Sequence, residues 1–140
     1  MSEAKAQASP AGSAARPLSP HLQVWRWHVT LFGSILHRLT GMALYVGAIV
    51  VAGWAVALAG GPQAYGDYMH LMGSPLGKLV MFGLTFAVFY HLANGLRHLA
   101  WDVGAGFTPR TADMTGAAVI AFAVAATLAV WVIAALAGAL

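Results

Sequence analysis

The chain has 140 residues, 60% hydrophobic and only 8% charged, against roughly 25% charged in an ordinary soluble domain. That composition excludes a water-soluble globular domain and places the chain in a bilayer. The absence of cysteine excludes an iron–sulfur cluster or a thiolate zinc site held by this chain, so any metal must come through histidine; the net charge of +3 is spread along the chain in a way that topology explains better than nucleic-acid binding.

Residues 1–15 are rich in Ala, Ser and Gly, lack periodicity and read as a flexible leader. They do not form a cleavable secretory signal. Such a signal ends its apolar core after roughly 7–15 residues, whereas here the charge-free run starts only at Leu39 and continues to Gly66. Residues 16–33 read as an interfacial segment. Pro17 and Pro20 oppose a continuous helix, and Trp25, Arg26, Trp27 and His28 suit the headgroup region.

Three apolar stretches follow, each near the ~18–20 residues that cross the hydrocarbon core. The first is expected over 34–59, beginning between Thr30 and Ser34 and ending before Gly60, Gly61 and Pro62. Residues 60–77 read as a loop with the interface residues Tyr65, Asp67, Tyr68 and His70. The second span is expected over 75–103, opened by Pro75, and the third over 112–137, after Gly104, Gly106 and Pro109. Residues 34–140 thus form a three-span transmembrane anchor domain. The predicted class is an all-α membrane protein with three transmembrane helices, part of a heteromeric helix bundle. Lys5, Arg16, Arg26, Arg38, Arg97 and Arg110 fall toward one side and only Lys78 toward the other. The N-terminus is therefore expected in the cytoplasm and the C-terminus outside.

Two polar groups interrupt the apolar runs. On the second span, Gly95, His98 and Asp102 return to within about 40° of His91 on a helix turning about 100° per residue. His91 offers an imidazole toward mid-membrane, and Gly95 one turn on lets a flat ligand approach. On the first span Ser34, Arg38, Gly41 and Tyr45 share a face, with His37 about 60° off it. Antiparallel spans bring Ser34, His37, Arg38, His98 and Asp102 to one level near the inner surface, with His91 about 10 Å deeper. Ionisable groups at such depth read as a functional site. A haem fits the set: His91 for the iron, and His37, Arg38 and His98 for the propionates. His91 and His98 point the same way, and His37 sits too shallow to oppose His91, so if the haem is six-coordinate its second axial ligand comes from another chain. Arg97, about 120° from the His91 face, is the weakest candidate for direct contact. The competing structural reading makes His91 a hydrogen-bonding partner between helices, Ser34 a residue bonding its own helix and Arg38 a topology determinant. His21, His28 and His70 read as interfacial.

RPLSPHLQ from Arg16, SILHRLTG from Ser34 to Gly41 and HLANGLRHLAWDVG from His91 to Gly104 resemble, in order and spacing, the cytochrome b membrane-anchor subunit of succinate dehydrogenase, respiratory complex II. The resemblance implies that His91 is an axial ligand of haem b, the other axial His coming from a second, smaller membrane-anchor subunit. It implies further that Ser34 and Arg38 line the ubiquinone pocket and that His37, Arg38 and His98 surround the haem propionates. A flavoprotein that oxidises succinate and an iron–sulfur subunit would be the other partners, so no dicarboxylate chemistry and no catalytic residue belongs to this chain. Membrane lipids are expected partners and nucleic acid is not. The Met1 start and the leader point to a bacterial inner membrane. The alternatives are the anchor of a fumarate reductase running in reverse, a haem-free structural anchor, and a small transporter subunit. The last would favour internal repeats or broken helices, which the sequence lacks.

Overall fold

A computed structural model describes residues 26–140. The leader at 1–15, and Arg16, Pro17, His21 and Trp25 from the interfacial segment, lie outside the described residues. Four helices and no strand occur among those residues: α1 Val29–Ala59, α2 Pro62–Gly73, α3 Pro75–Asp102 and α4 Pro109–Leu136.

Each helix starts on a residue suited to the task. His28 caps α1, its Nδ1 accepting from the Leu31 N–H at 3.1 Å; Ser74 caps α3 through the Gly77 N–H; Thr108 caps α4 through the Thr111 N–H. These side chains satisfy N–H groups that have no partner inside the helix. Pro62, Pro75 and Pro109 follow their caps directly, where a missing N–H costs nothing and the ring's φ is already helical. α1 ends at Gly60, and Gly61, at φ 92°, turns the chain into α2. A side chain at that angle would be strained.

α1, α3 and α4 are each long and apolar enough to cross a membrane. α1, with 31 residues, is about 46 Å long at 1.5 Å per residue, against about 30 Å of hydrocarbon. It starts at Val29, just before the expected range of Thr30 to Ser34. α2 is the element that sequence reasoning missed, taking 60–77 as a loop. It is short and half-polar, yet its half-buried positions Ala64, Tyr65, Tyr68 and Met72 recur at helical spacing. The Tyr68 hydroxyl donates to the Val50 carbonyl of α1 at 2.8 Å.

α3 is the central helix and packs against the other three. Lipid is as apolar as leucine, so helices associate here through close approach and hydrogen bonds rather than apolar burial. The contacts follow that rule. Tyr90 of α3, 1% exposed, donates to the Gly33 carbonyl of α1 at 2.8 Å. Thr30 of α1 donates to Asp113 of α4 at 2.8 Å. Trp131 of α4 donates to Thr85 of α3 at 3.3 Å. Most large apolar side chains face outward, as expected where lipid or another membrane chain covers them.

The α2–α3 corner is closed by a glycine. A Cβ on Gly77 would collide with the Met72 carbonyl oxygen and come within 2.7 Å of the Met72 carbonyl carbon, backbone atoms that cannot swing aside. Gly77→Ala should therefore open the corner and cost about 1–3 kcal/mol, the range for forced overpacking. A lowered midpoint of thermal inactivation in detergent is the expected result, and an unchanged midpoint would remove the steric argument.

Candidate functional site: the histidine face of α1 and α3

The three site histidines come together on α1 and α3. His37 of α1 lies flat on His91 of α3, ring centroids 4.0 Å apart and planes within 10°. His98, two turns along α3, tilts against the other side of the group at 5.2 Å from His37. Sequence reasoning set His37 level with His98 and well short of His91; the structure places it in contact with both. The register of α1 on α3, in which Tyr90 donates to the Gly33 carbonyl and Gly41 lies against the His91 ring, is what brings His37 alongside His91. A face-to-face stack points no ring nitrogen of His37 at its neighbour, so His37 and His91 do not grip one ion between them.

His91 is half-buried and sits against α1. A Cβ on Gly41 would lie 3.1 Å from His91 Cε1, so only glycine at this point lets the ring pack so near the helix. The other flank opens onto a groove of about 340 Å³ lined by His91, Leu92, Gly95, Leu96 and Leu99. A Cβ built on Gly95 meets nothing within 4 Å. All five lining residues belong to α3, so this chain supplies one wall of the groove. Asp102, at the end of α3 two turns beyond Gly95, is exposed. Buried His37 Nδ1 has no hydrogen-bond partner among the described residues. Buried polar atoms are paired as a rule, and an orphan marks a group waiting for a partner. A flat apolar ligand with carboxylates at its inner edge matches these features: an imidazole for its centre, a smooth Gly–Leu wall, and donors at the inner end.

Ser34 and Arg38 lie on the outward side of α1, both exposed, and hold no side-chain hydrogen bond among the described residues. The structure does not bring them against His91 or His98. A hydroxyl and a guanidinium left open at membrane depth are costly unless another molecule meets them. Tyr45, on the same face, is 76% exposed.

Arg97 is buried on the opposite side of α3. Its Nη2 donates to the Ala112 carbonyl at 2.6 Å, its Nε to Thr115 at 3.0 Å and its Nη1 to Asn94 at 3.4 Å. The guanidinium lies 4.0 Å over the Trp101 ring, which meets His98 edge to face at 5.0 Å. Arg97 is thus the tie between α3 and α4, as its angle to the His91 face implies. Tyr90, Asn94 and Thr40 were not singled out from sequence for roles of their own. Asn94, three residues after His91 and four before His98, and Tyr90, next to His91, carried the signal of polarity in an apolar run.

Residues 13–130 match the family described as succinate dehydrogenase/fumarate reductase transmembrane subunit. The chain is 34% identical over 117 residues to the succinate dehydrogenase cytochrome b556 subunit of Rickettsia felis, covering 84% of this chain and 91% of that one. It is 41% identical over 106 residues to the b556 subunit of Paracoccus denitrificans, covering 76% and 82%. It is 36% identical over 107 residues to the mitochondrial cytochrome b560 subunit of Sus scrofa, covering 75% and 63%.

Proposed function

The chain belongs to the succinate dehydrogenase/fumarate reductase transmembrane-subunit family, and from that premise we propose that it is the membrane-anchoring cytochrome b subunit of a succinate:ubiquinone oxidoreductase. The observation that carries the proposal is the histidine face: His91 at an open, glycine-floored groove, with His37 stacked on it and His98 alongside. His91 is the axial ligand of haem b, and His37, Arg38 and His98 meet its propionates. The unpartnered His37 Nδ1 supports that role, since a carboxylate is the partner it lacks. Haem b bound there supplies a one-electron redox centre in the membrane.

This chain provides one wall of the groove, so the second wall and the other axial His come from a second, smaller anchor subunit. The open Ser34 and Arg38 form part of the ubiquinone-reduction site: the Ser34 hydroxyl donates to a quinone carbonyl, and Arg38 stabilises charge developing on that oxygen. Succinate is oxidised by a flavoprotein and electrons arrive through an iron–sulfur subunit; this chain carries no dicarboxylate chemistry. The relatives' names, all of succinate dehydrogenase, favour succinate oxidation over fumarate reduction. The chain lies in a bacterial inner membrane with its N-terminus in the cytoplasm. Arg26 before α1, Arg97 near the end of α3 and Arg110 at the start of α4 share one side, which supports that orientation.

Deleting the chain tests the whole reading. Succinate oxidation by a soluble dye should move from the membrane to the soluble fraction, while succinate-dependent ubiquinone reduction by membranes falls to background. Membranes that keep full quinone reduction without this chain would overturn the proposal.

A further inference from the structure

We propose that Thr40 is a positioning residue for His91: its hydroxyl accepts from His91 Nδ1–H and so holds the imidazole in the tautomer whose Nε2 is bare. The inference rests on the haem-ligand reading of His91 and goes beyond it.

Thr40 is 5% exposed, on α1 directly across from His91. Its oxygen lies 2.9 Å from the Leu36 carbonyl, 3.0 Å from the His37 carbonyl and 3.4 Å from His91 Nδ1. A hydroxyl has one proton and two lone pairs. Threonine in a helix commonly gives its proton to a carbonyl three or four residues back, and the two carbonyls are the nearer acceptors. The proton therefore goes to the helix, and the side toward His91 is lone pair. Two acceptors cannot share a contact, so Nδ1 must bring the hydrogen. A neutral imidazole protonated at Nδ1 has its Nε2 free, and a metal-bound histidine commonly gives its other N–H to such an acceptor, which fixes ring orientation and raises ligand basicity.

The seat around the ring agrees. Gly41, next to Thr40, gives the space that Cε1 occupies, and His37 lies against the ring face. Thr40 therefore sets the direction of the ring's hydrogen, while Gly41 and His37 set its plane. Burial removes water as a substitute acceptor, so losing the hydroxyl leaves Nδ1–H without a partner.

The test is the midpoint potential of the b-type centre in the assembled complex, measured by redox titration of its absorption. A more basic ligand favours the ferric form, so Thr40→Val, which keeps the shape and removes the acceptor, should raise the potential. The expected size is about tenfold in the ferric/ferrous ratio at fixed potential, or ~59 mV for a one-electron couple. Thr40→Ser, which restores the hydroxyl, should return the potential to its original value. Thr40→Ala is the second variant, with no β-branching to misplace, and should move the potential in the same direction as Thr40→Val. An unmoved potential in Thr40→Val and Thr40→Ala, or an equal shift in Thr40→Ser, would overturn the role of Thr40. That failure differs from failure of the underlying reading, in which the unsubstituted complex shows no b-type absorption at all.

Discussion

His91→Ala should erase the b-type band from the reduced-minus-oxidised spectrum of the assembled membrane complex while succinate oxidation by a soluble dye stays membrane-bound. The expectation follows from what remains when the imidazole is gone. His37 lies face-on to the vacated position with its plane within 10° of the lost ring, so its nitrogens point along the stack's plane and not into the groove. His98 is two turns away and exposed, about 10 Å along the helix axis. Leu92, Gly95, Leu96 and Leu99 carry no ligand atom. Among the described residues none stands in the place of the lost imidazole, and the proposed partner histidine alone would leave a centre of altered ligation. His98→Ala is the contrasting variant: the band should persist with a shifted potential, because only a propionate contact is lost. A normal band in His91→Ala, with the subunits still assembled, would refute the ligand assignment and return His91 to a packing role.

Much of this arrangement could be read from residue order alone, for physical reasons that also mark where reading stops. The spans were legible because hydrocarbon tolerates few charges over a length fixed by the bilayer, and Pro75 marks the start of the second; Pro109, read as a breaker before a helix from 112, instead opens α4. His91, Gly95 and His98 were legible because helix periodicity puts them on one face whatever the surroundings. The contact between His37 and His91 was not, because relative depth depends on the axial register of α1 against α3, which rests on contacts between the helices such as Tyr90 donating to the Gly33 carbonyl. α2 escaped because a 12-residue amphipathic helix gives too short a pattern to stand out from a polar loop. Thr40 escaped for a different reason. Threonine is unremarkable in an apolar helix, and only the neighbouring helix reveals that its hydroxyl faces a histidine nitrogen. Arg97 could be set away from the His91 face by its angle, but its burial against Ala112, Thr115 and Trp101 needed the third span, whose sequence carries no motif.

The two exposed polar groups on α1 should separate cleanly in their effects on quinone reduction. In the proposed quinone site Arg38 would meet negative charge that grows on a quinone oxygen during reduction, so its contribution would be larger at the transition state than in the bound ground state. Losing one such donor in a site of low dielectric costs about 10²–10³ in turnover, and Arg38→Leu should lower kcat for quinone by about a hundredfold. Ser34, on the same proposal, would give a neutral hydrogen bond to a bound quinone before and during reduction alike. Such a bond is worth about 0.5–1.5 kcal/mol, so Ser34→Ala should raise KM up to about tenfold with kcat little changed. Arg38→Lys keeps the charge but loses the planar fork, and should fall between Arg38→Leu and the unsubstituted complex. In all three variants succinate oxidation by a soluble dye should be unaffected, because it bypasses the membrane. Parallel loss of dye and quinone reduction would mean failed assembly, and a pure KM effect in Arg38→Leu would show that the guanidinium binds quinone without stabilising its reduction.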